Sequence, residues 1–74
     1  MHKQSVKITT EFIKLDQLLK FSGIADNGAI AKEMILDGIV SVNEEECLMR
    51  GKKIRPGDVV LIEFEDEAFE ITVE

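Results

Sequence analysis

Arg50-Gly51-Lys52-Lys53-Ile54-Arg55 places four cations within six residues. Lysine and arginine at that density suit one task well, the displacement of counterions from around phosphates, which supplies most of the affinity for a nucleic acid. Gly51 removes a side chain that would hold two backbones apart. The same run also reads as a solvated turn whose charge balances an acidic C-terminal strand. Lys14, Lys20 and Lys32 extend the question onto two predicted helices. There they join the cationic run or stay solvated, with Lys32 pairing with Glu33 or Asp37 for at most a few tenths of a kcal/mol.

The remaining chemistry-bearing side chains point away from catalysis. His2 and Cys47 are single and far apart in sequence, too few for a zinc site. Cys47 reads as a small, partly buried residue that cannot form an internal disulfide. Asp16 falls in the first turn of a predicted helix, where a carboxylate gains about 0.3–1 kcal/mol from the helix dipole. Asn43 reads as a turn former, and Asp58, after Pro56-Gly57, as an acceptor of backbone N–H groups. Glu63, Glu65, Asp66 and Glu67 lack the spacing of a calcium loop and read as a charged edge that blocks aggregation. There is no nucleophile–base pair and no phosphate-cradling glycine loop. No enzyme, metal, cofactor or small-molecule substrate is expected.

The net charge of −6 over 74 residues is divided unevenly. Residues 1–55 hold all nine Lys and Arg against eight acids, a net of +1, while residues 56–74 hold seven acids and no base, a net of −7. A basic face is therefore compatible with an acidic total. The aromatic residues are four phenylalanines, with no Trp or Tyr for a platform that stacks single-stranded bases. No apolar run approaches the roughly 20 residues needed to span a bilayer, and the N-terminal stretch lacks the apolar centre of a secretory signal. A soluble, cytoplasmic protein is expected, folded as one domain over residues 1–74.

The elements that must hold these residues centre on Lys14 to Val42. Leu15, Leu18 and Leu19 share one helical face, predicting a helix from about Leu15 to Phe21 that exposes Asp16, Gln17 and Lys20. Gly23 suits the positive φ after a helix C-terminus. Ile30, Ala31, Met34 and Ile35 predict a second helix from about Asn27 to Asp37, with Asp26 or Asn27 as its cap and Gly38 as its stop. Val40 to Val42 starts a sheet, Asn43 to Glu46 turns the chain, and Cys47 to Met49 returns. Pro56-Gly57 suits a type II turn. Val59 to Phe64, and Phe69, Ile71 and Val73 alternating with Glu70, Thr72 and Glu74, supply two further strands. Val6 and Ile8 suggest an N-terminal edge strand. The fold class is α+β: two short packed helices against a small, strongly bent antiparallel sheet of four to five strands.

Lys14-Leu15-Asp16, Leu18-Leu19, Gly23, Ala31-Lys32, Ile35, Gly38, Val40, Val42-Asn43 and Pro56-Gly57-Asp58-Val59 together resemble the S-four RNA-binding domain, the small αL motif named for a ribosomal protein. The core of the resemblance covers residues 14–60. The run from Arg50 to Asp58 and the flanking strands look most similar to the short stand-alone YaaA-type members. The resemblance implies a translation-associated domain that binds structured RNA, ribosomal or transfer, through its exposed helix faces and the adjoining loop. Carried over by position, it implicates Lys14, Lys20, Asn27, Lys32, Arg50, Lys52, Lys53 and Arg55. Many members open the second helix with Ser-Arg where this chain has Asn27-Gly28, so one phosphate-reaching guanidinium is missing, although helix N–H groups can accept a phosphate. Glu44 replaces a more usual glycine and creates the triplet Glu44-Glu45-Glu46. The Val-Asn and Pro-Gly-Asp-Val-Val pattern also resembles ubiquitin-like sulfur carriers, whose chemistry needs a terminal Gly-Gly that Thr72-Val73-Glu74 does not supply.

The expected function is a non-catalytic module recognising structured RNA by phosphate and shape contacts. The acidic strand should face away from the RNA, where it is free to contact a basic ribosomal protein. The alternative is a protein-interaction module of the same fold whose RNA surface has decayed. The first reading requires the cations of two helices and one loop to lie side by side, with the acidic strand turned elsewhere and no glutamates interleaved among them.

Overall fold

Leu15, Leu18 and Leu19 are fully buried, and the helix they define, α1, spans Leu15–Phe21. The chain leaves it through Gly23 at φ 84°, a left-handed conformation that costs a residue without Cβ little. Asn27 then caps α2, Gly28–Leu36, its Oδ1 accepting the Ile30 N–H at 3.0 Å. Ala31 and Ile35 are fully buried on α2, and Gly38, at φ 79°, ends it. Both helices thus fall where the apolar spacing puts them. The computed structural model describes all of residues 1–74.

Seven strands complete the chain: β1 His2–Val6, β2 Ile13–Lys14, β3 Val40–Val42, β4 Glu45–Glu46, β5 Lys53–Ile54, β6 Val59–Glu63 and β7 Ala68–Val73. Five form one sheet in the order β1-β7-β6-β3-β4, while β2 and β5 pair separately. Val40, Val42, Val60, Ile62, Ile71 and Val73 alternate inward from the large sheet and meet the helices in a core of 14 buried residues, all apolar. The outward residues of β6 and β7 include Glu63 and Glu70, the period-2 alternation placing them on the opposite face.

The α+β class stands, with particulars that differ from the sequence reading. The five-stranded sheet is mixed, because β1 runs parallel to β7 while the other pairings are antiparallel. A parallel pair needs a long crossover, and the intervening chain between these first and last strands provides it. β1 ends at Val6, although the Ile8 N–H still donates to the Glu74 carbonyl at 2.9 Å. The stretch before α1 and part of the basic loop become strands β2 and β5. At two residues each they are too short to show a period.

The return of the first hairpin is Glu45–Glu46 rather than Cys47 to Met49, since Asn43 (φ 50°) and Glu44 (φ 73°) make a two-residue turn of the I′ kind. Glu44 is strained there, and Glu44→Gly should stabilise the protein by about 0.5–1 kcal/mol by relieving a left-handed side chain. Thermal melts of the two proteins check it, with a higher melting temperature expected for the glycine variant.

Candidate nucleic-acid interface

The first turn of α1 lacks a side-chain cap at Lys14. Its N–H groups are instead satisfied from the basic segment: Leu15 donates to the Lys52 carbonyl at 2.9 Å and Asp16 to the Arg50 carbonyl at 3.1 Å. Arg50 also approaches Asp16, Nε to Oδ2 at 3.7 Å. The basic segment is therefore fastened by its own backbone to the start of the helix, and its charged side chains are left on the outside. Its tip is closed by a bond from the Lys52 N–H to the Met49 carbonyl at 3.1 Å.

Directly after that tip, β5 pairs with β2. Ile13 lies opposite Ile54, which is fully buried, and Lys14 lies opposite Lys53. One face of this ribbon is therefore core and the other is cationic. Phe12 and Arg55 continue the cationic face. The Lys53 Nζ sits 4.9 Å from the centre of the Phe12 ring and the Arg55 guanidinium carbon 6.0 Å from it, within reach of cation–π attraction. Like charges directly opposed on neighbouring strands oppose folding. Arg50 is nevertheless the sole lysine or arginine in an ion pair, so Lys14, Lys52, Lys53 and Arg55 face solvent with their charge uncompensated by contact.

Past Arg55, the turn at Pro56-Gly57 fixes where the cluster ends. Gly57 has φ 98°, and the Asp58 N–H donates to the Arg55 carbonyl at 3.0 Å. Asp58 accepts the Arg55 N–H at 2.8 Å and the Asn43 amide at 3.0 Å, while Asn43 Oδ1 accepts the Val59 N–H at 2.9 Å. The backbone hydrogen bond from Arg55 chiefly, then that from Asn43, with the charges of Lys52 and Arg55 adding, hold the Asp58 carboxyl below its ordinary value of 3.8 against slight desolvation. Asp58 and Asn43 are thus structural, locking the hairpin turn to the turn beneath Arg55.

Five of the eight expected residues, Lys14, Arg50, Lys52, Lys53 and Arg55, gather around β2, β5 and the start of α1. The other three make no hydrogen bond or ion pair to that ribbon. Lys20 is exposed in the last turn of α1, about 9 Å along the axis from Lys14 at ~1.5 Å per residue. Lys32 is exposed on α2, without an ion pair to Glu33 or Asp37. The Asn27 side chain is engaged as the cap of α2.

The acids are only partly segregated. Glu65, Asp66 and Glu67 lie in the turn after β6, about 16 Å from Pro56-Gly57 by the length of that five-residue strand. Glu45 and Glu46, however, share a groove with Lys52, Lys53 and Arg55. Sequence reasoning missed Phe12, whose signal was its position two residues before Lys14 in a stretch that gave no strand pattern.

Because the Asp58 carboxyl is lowered, its contribution to stability is present in full above pH 3.8 and is lost as pH falls below that value through the folded-state value. Asp58→Asn should melt below the wild type near neutral pH, and the gap should close in acid. Thermal melts across that range check it.

A profile of the S4 domain matches residues 6–72. The probable ribosome maturation protein RlbA of Bacillus subtilis (strain 168) is 41% identical over 58 residues, which cover 78% of this chain and 82% of that relative. The chain belongs to the S4 domain family. The match thus extends beyond Lys14 to Val59 on both sides and takes in β6 and most of β7, while β1 before Val6 lies outside it.

Proposed function

We propose that this S4-domain chain is a non-catalytic module that binds structured RNA, ribosomal or transfer, by phosphate and shape contacts. The observation that carries the proposal is the ribbon of β2 and β5, where Lys14 opposes Lys53 and Arg55 adjoins them, none of the three in an ion pair. A polyanion bound across that face would relieve the mutual repulsion that the fold alone tolerates. Similarity to a probable ribosome maturation protein favours ribosomal RNA or a precursor of it, in the cytoplasm, as the ligand. No helix is long and apolar enough to cross a membrane.

In this reading Lys14, Arg50, Lys52, Lys53 and Arg55 form the main contact. Lys20 and Lys32 extend it along the helices. Gly28 and Ala29, both exposed at the start of α2, offer backbone N–H groups to a phosphate in place of the missing arginine. Glu63 and Glu70, on the outward face of the sheet, are directed to a basic ribosomal protein rather than to RNA.

Three measurements test the proposal. Affinity for ribosomal or transfer RNA should fall with salt at a log–log slope of about −3 to −5, as expected for a handful of phosphate contacts. Lys52→Glu with Lys53→Glu should reduce that affinity steeply while the melting temperature barely moves. Lys14→Glu should separate stability from binding. It converts a like-charged cross-strand pair into an attractive one and places an acid at a helix N-terminus, so the protein gains about 0.2–1 kcal/mol while RNA affinity falls. Absence of binding to either RNA at low salt would transfer the assignment to the protein-interaction reading.

A further inference from the structure

Beside the cationic ribbon the chain exposes two consecutive apolar side chains, Leu48 at 53% and Met49 at 67%. Three other large apolar residues are as exposed, Met1, Phe21 and Leu36, but none adjoins the basic segment in sequence. Leu48 and Met49 line the same groove as Lys52, Lys53 and Arg55. Their placement is fixed: the Met49 carbonyl accepts the Lys52 N–H at 3.1 Å, and the Cys47 thiol lies 3.6 Å from that same carbonyl. The Cys47 N–H donates to the Val40 carbonyl at 2.9 Å, so the segment hangs directly from the sheet. The core is complete without either residue, and exposed apolar surface in water is unfavourable.

Resting on the RNA reading above, we propose that Leu48 and Met49 form an apolar wedge for one unstacked nucleobase, whose flanking phosphates lie on Lys52, Lys53 and Arg55. A fully paired A-form helix presents only phosphates, ribose hydroxyls and the edges of stacked bases, with little to bury against an aliphatic pair. A bulged or junction nucleotide presents a free ring face. The chain has no Trp or Tyr to offer such a ring, the Phe12 ring on the cationic face is already covered by Lys53 and Arg55, and aliphatic side chains take that role where a protein inserts beside an unstacked base. The ligand class is therefore structured RNA interrupted by an unpaired nucleotide. Glu45 and Glu46, in the same groove, repel any second phosphate from the site of the base.

The test uses two RNA hairpins, one fully paired and one identical except for a single bulged 2-aminopurine. The wild type should bind the bulged hairpin about tenfold tighter, the worth of covering one such half-exposed side chain, and should change the fluorescence of the 2-aminopurine. Leu48→Ser with Met49→Ser should keep the melting temperature, the affinity for the paired hairpin and its salt slope. The preference for the bulge and the fluorescence change should vanish. Equal wild-type affinity for both hairpins, or a preference that survives in the double variant, overturns the wedge while leaving the RNA reading intact. Absence of binding to either hairpin at low salt overturns both.

Discussion

The start of α1 depends on a partner distant in sequence. Its first amides, at Leu15 and Asp16, donate to the carbonyls of Lys52 and Arg50, because Lys14 offers no side-chain oxygen of its own. An uncapped helix start leaves donors that must find acceptors. Here the acceptors come from the segment richest in positive charge. With two carbonyls turned toward the helix, that segment holds one register, its side chains are displayed outward, and Ile54 enters the core. The same bonds that complete a seven-residue helix therefore build the cationic surface.

That surface opposes the fold that carries it. Lys14 and Lys53 face each other across two strands, and neither has a carboxylate in contact. Two features offset the repulsion. The ring of Phe12 lies under Lys53 and within reach of Arg55, and the other face of the ribbon buries Ile54 in the core that the leucines of α1 also enter. Cation–π attraction at exposed sites, about 0.5–1 kcal/mol, is comparable with the cost of a like-charged cross-strand pair. Burial of an isoleucine is larger than either, about 1.5–3 kcal/mol. The core therefore decides that the ribbon forms, and the charges follow.

Topology then separates much of the opposite charge. β6 has the basic turn at its start and the acidic turn at its end, while Glu63 and Glu70 alternate outward from the helices. Asp58 is the acid embedded at the basic end. It is engaged with the Arg55 backbone and the Asn43 amide rather than paired with a side-chain cation. Glu45 and Glu46 break the separation, on the edge strand that turns back from Asn43-Glu44. A proposed RNA ligand would therefore meet a bounded cationic surface, negative on one flank.

Local chemistry was enough to determine the helices, their stops and the turn at Pro56-Gly57, though not the span of the first hairpin, whose return starts at Glu45 rather than Cys47. Leu15, Leu18 and Leu19 can share a face only in a helix, Gly23, Gly38 and Gly57 adopt positive φ where the chain reverses, and Asp58 serves its own turn. The ordered set of those signals also carried the family resemblance. Three things were decided only by contacts between residues far apart. β1 lies parallel to β7 because the first and last strands meet across the whole chain. β2 and β5 exist because Ile13 and Ile54 come together, since two residues alone carry no period. Lys14 joins the basic segment because the carbonyls of Arg50 and Lys52 reach the beginning of α1, where neither Lys20 nor Lys32 lies. A sequence records which side chains are charged. Which charges become neighbours is settled by backbone hydrogen bonds that any residue types could make, and these leave no mark in the residue pattern.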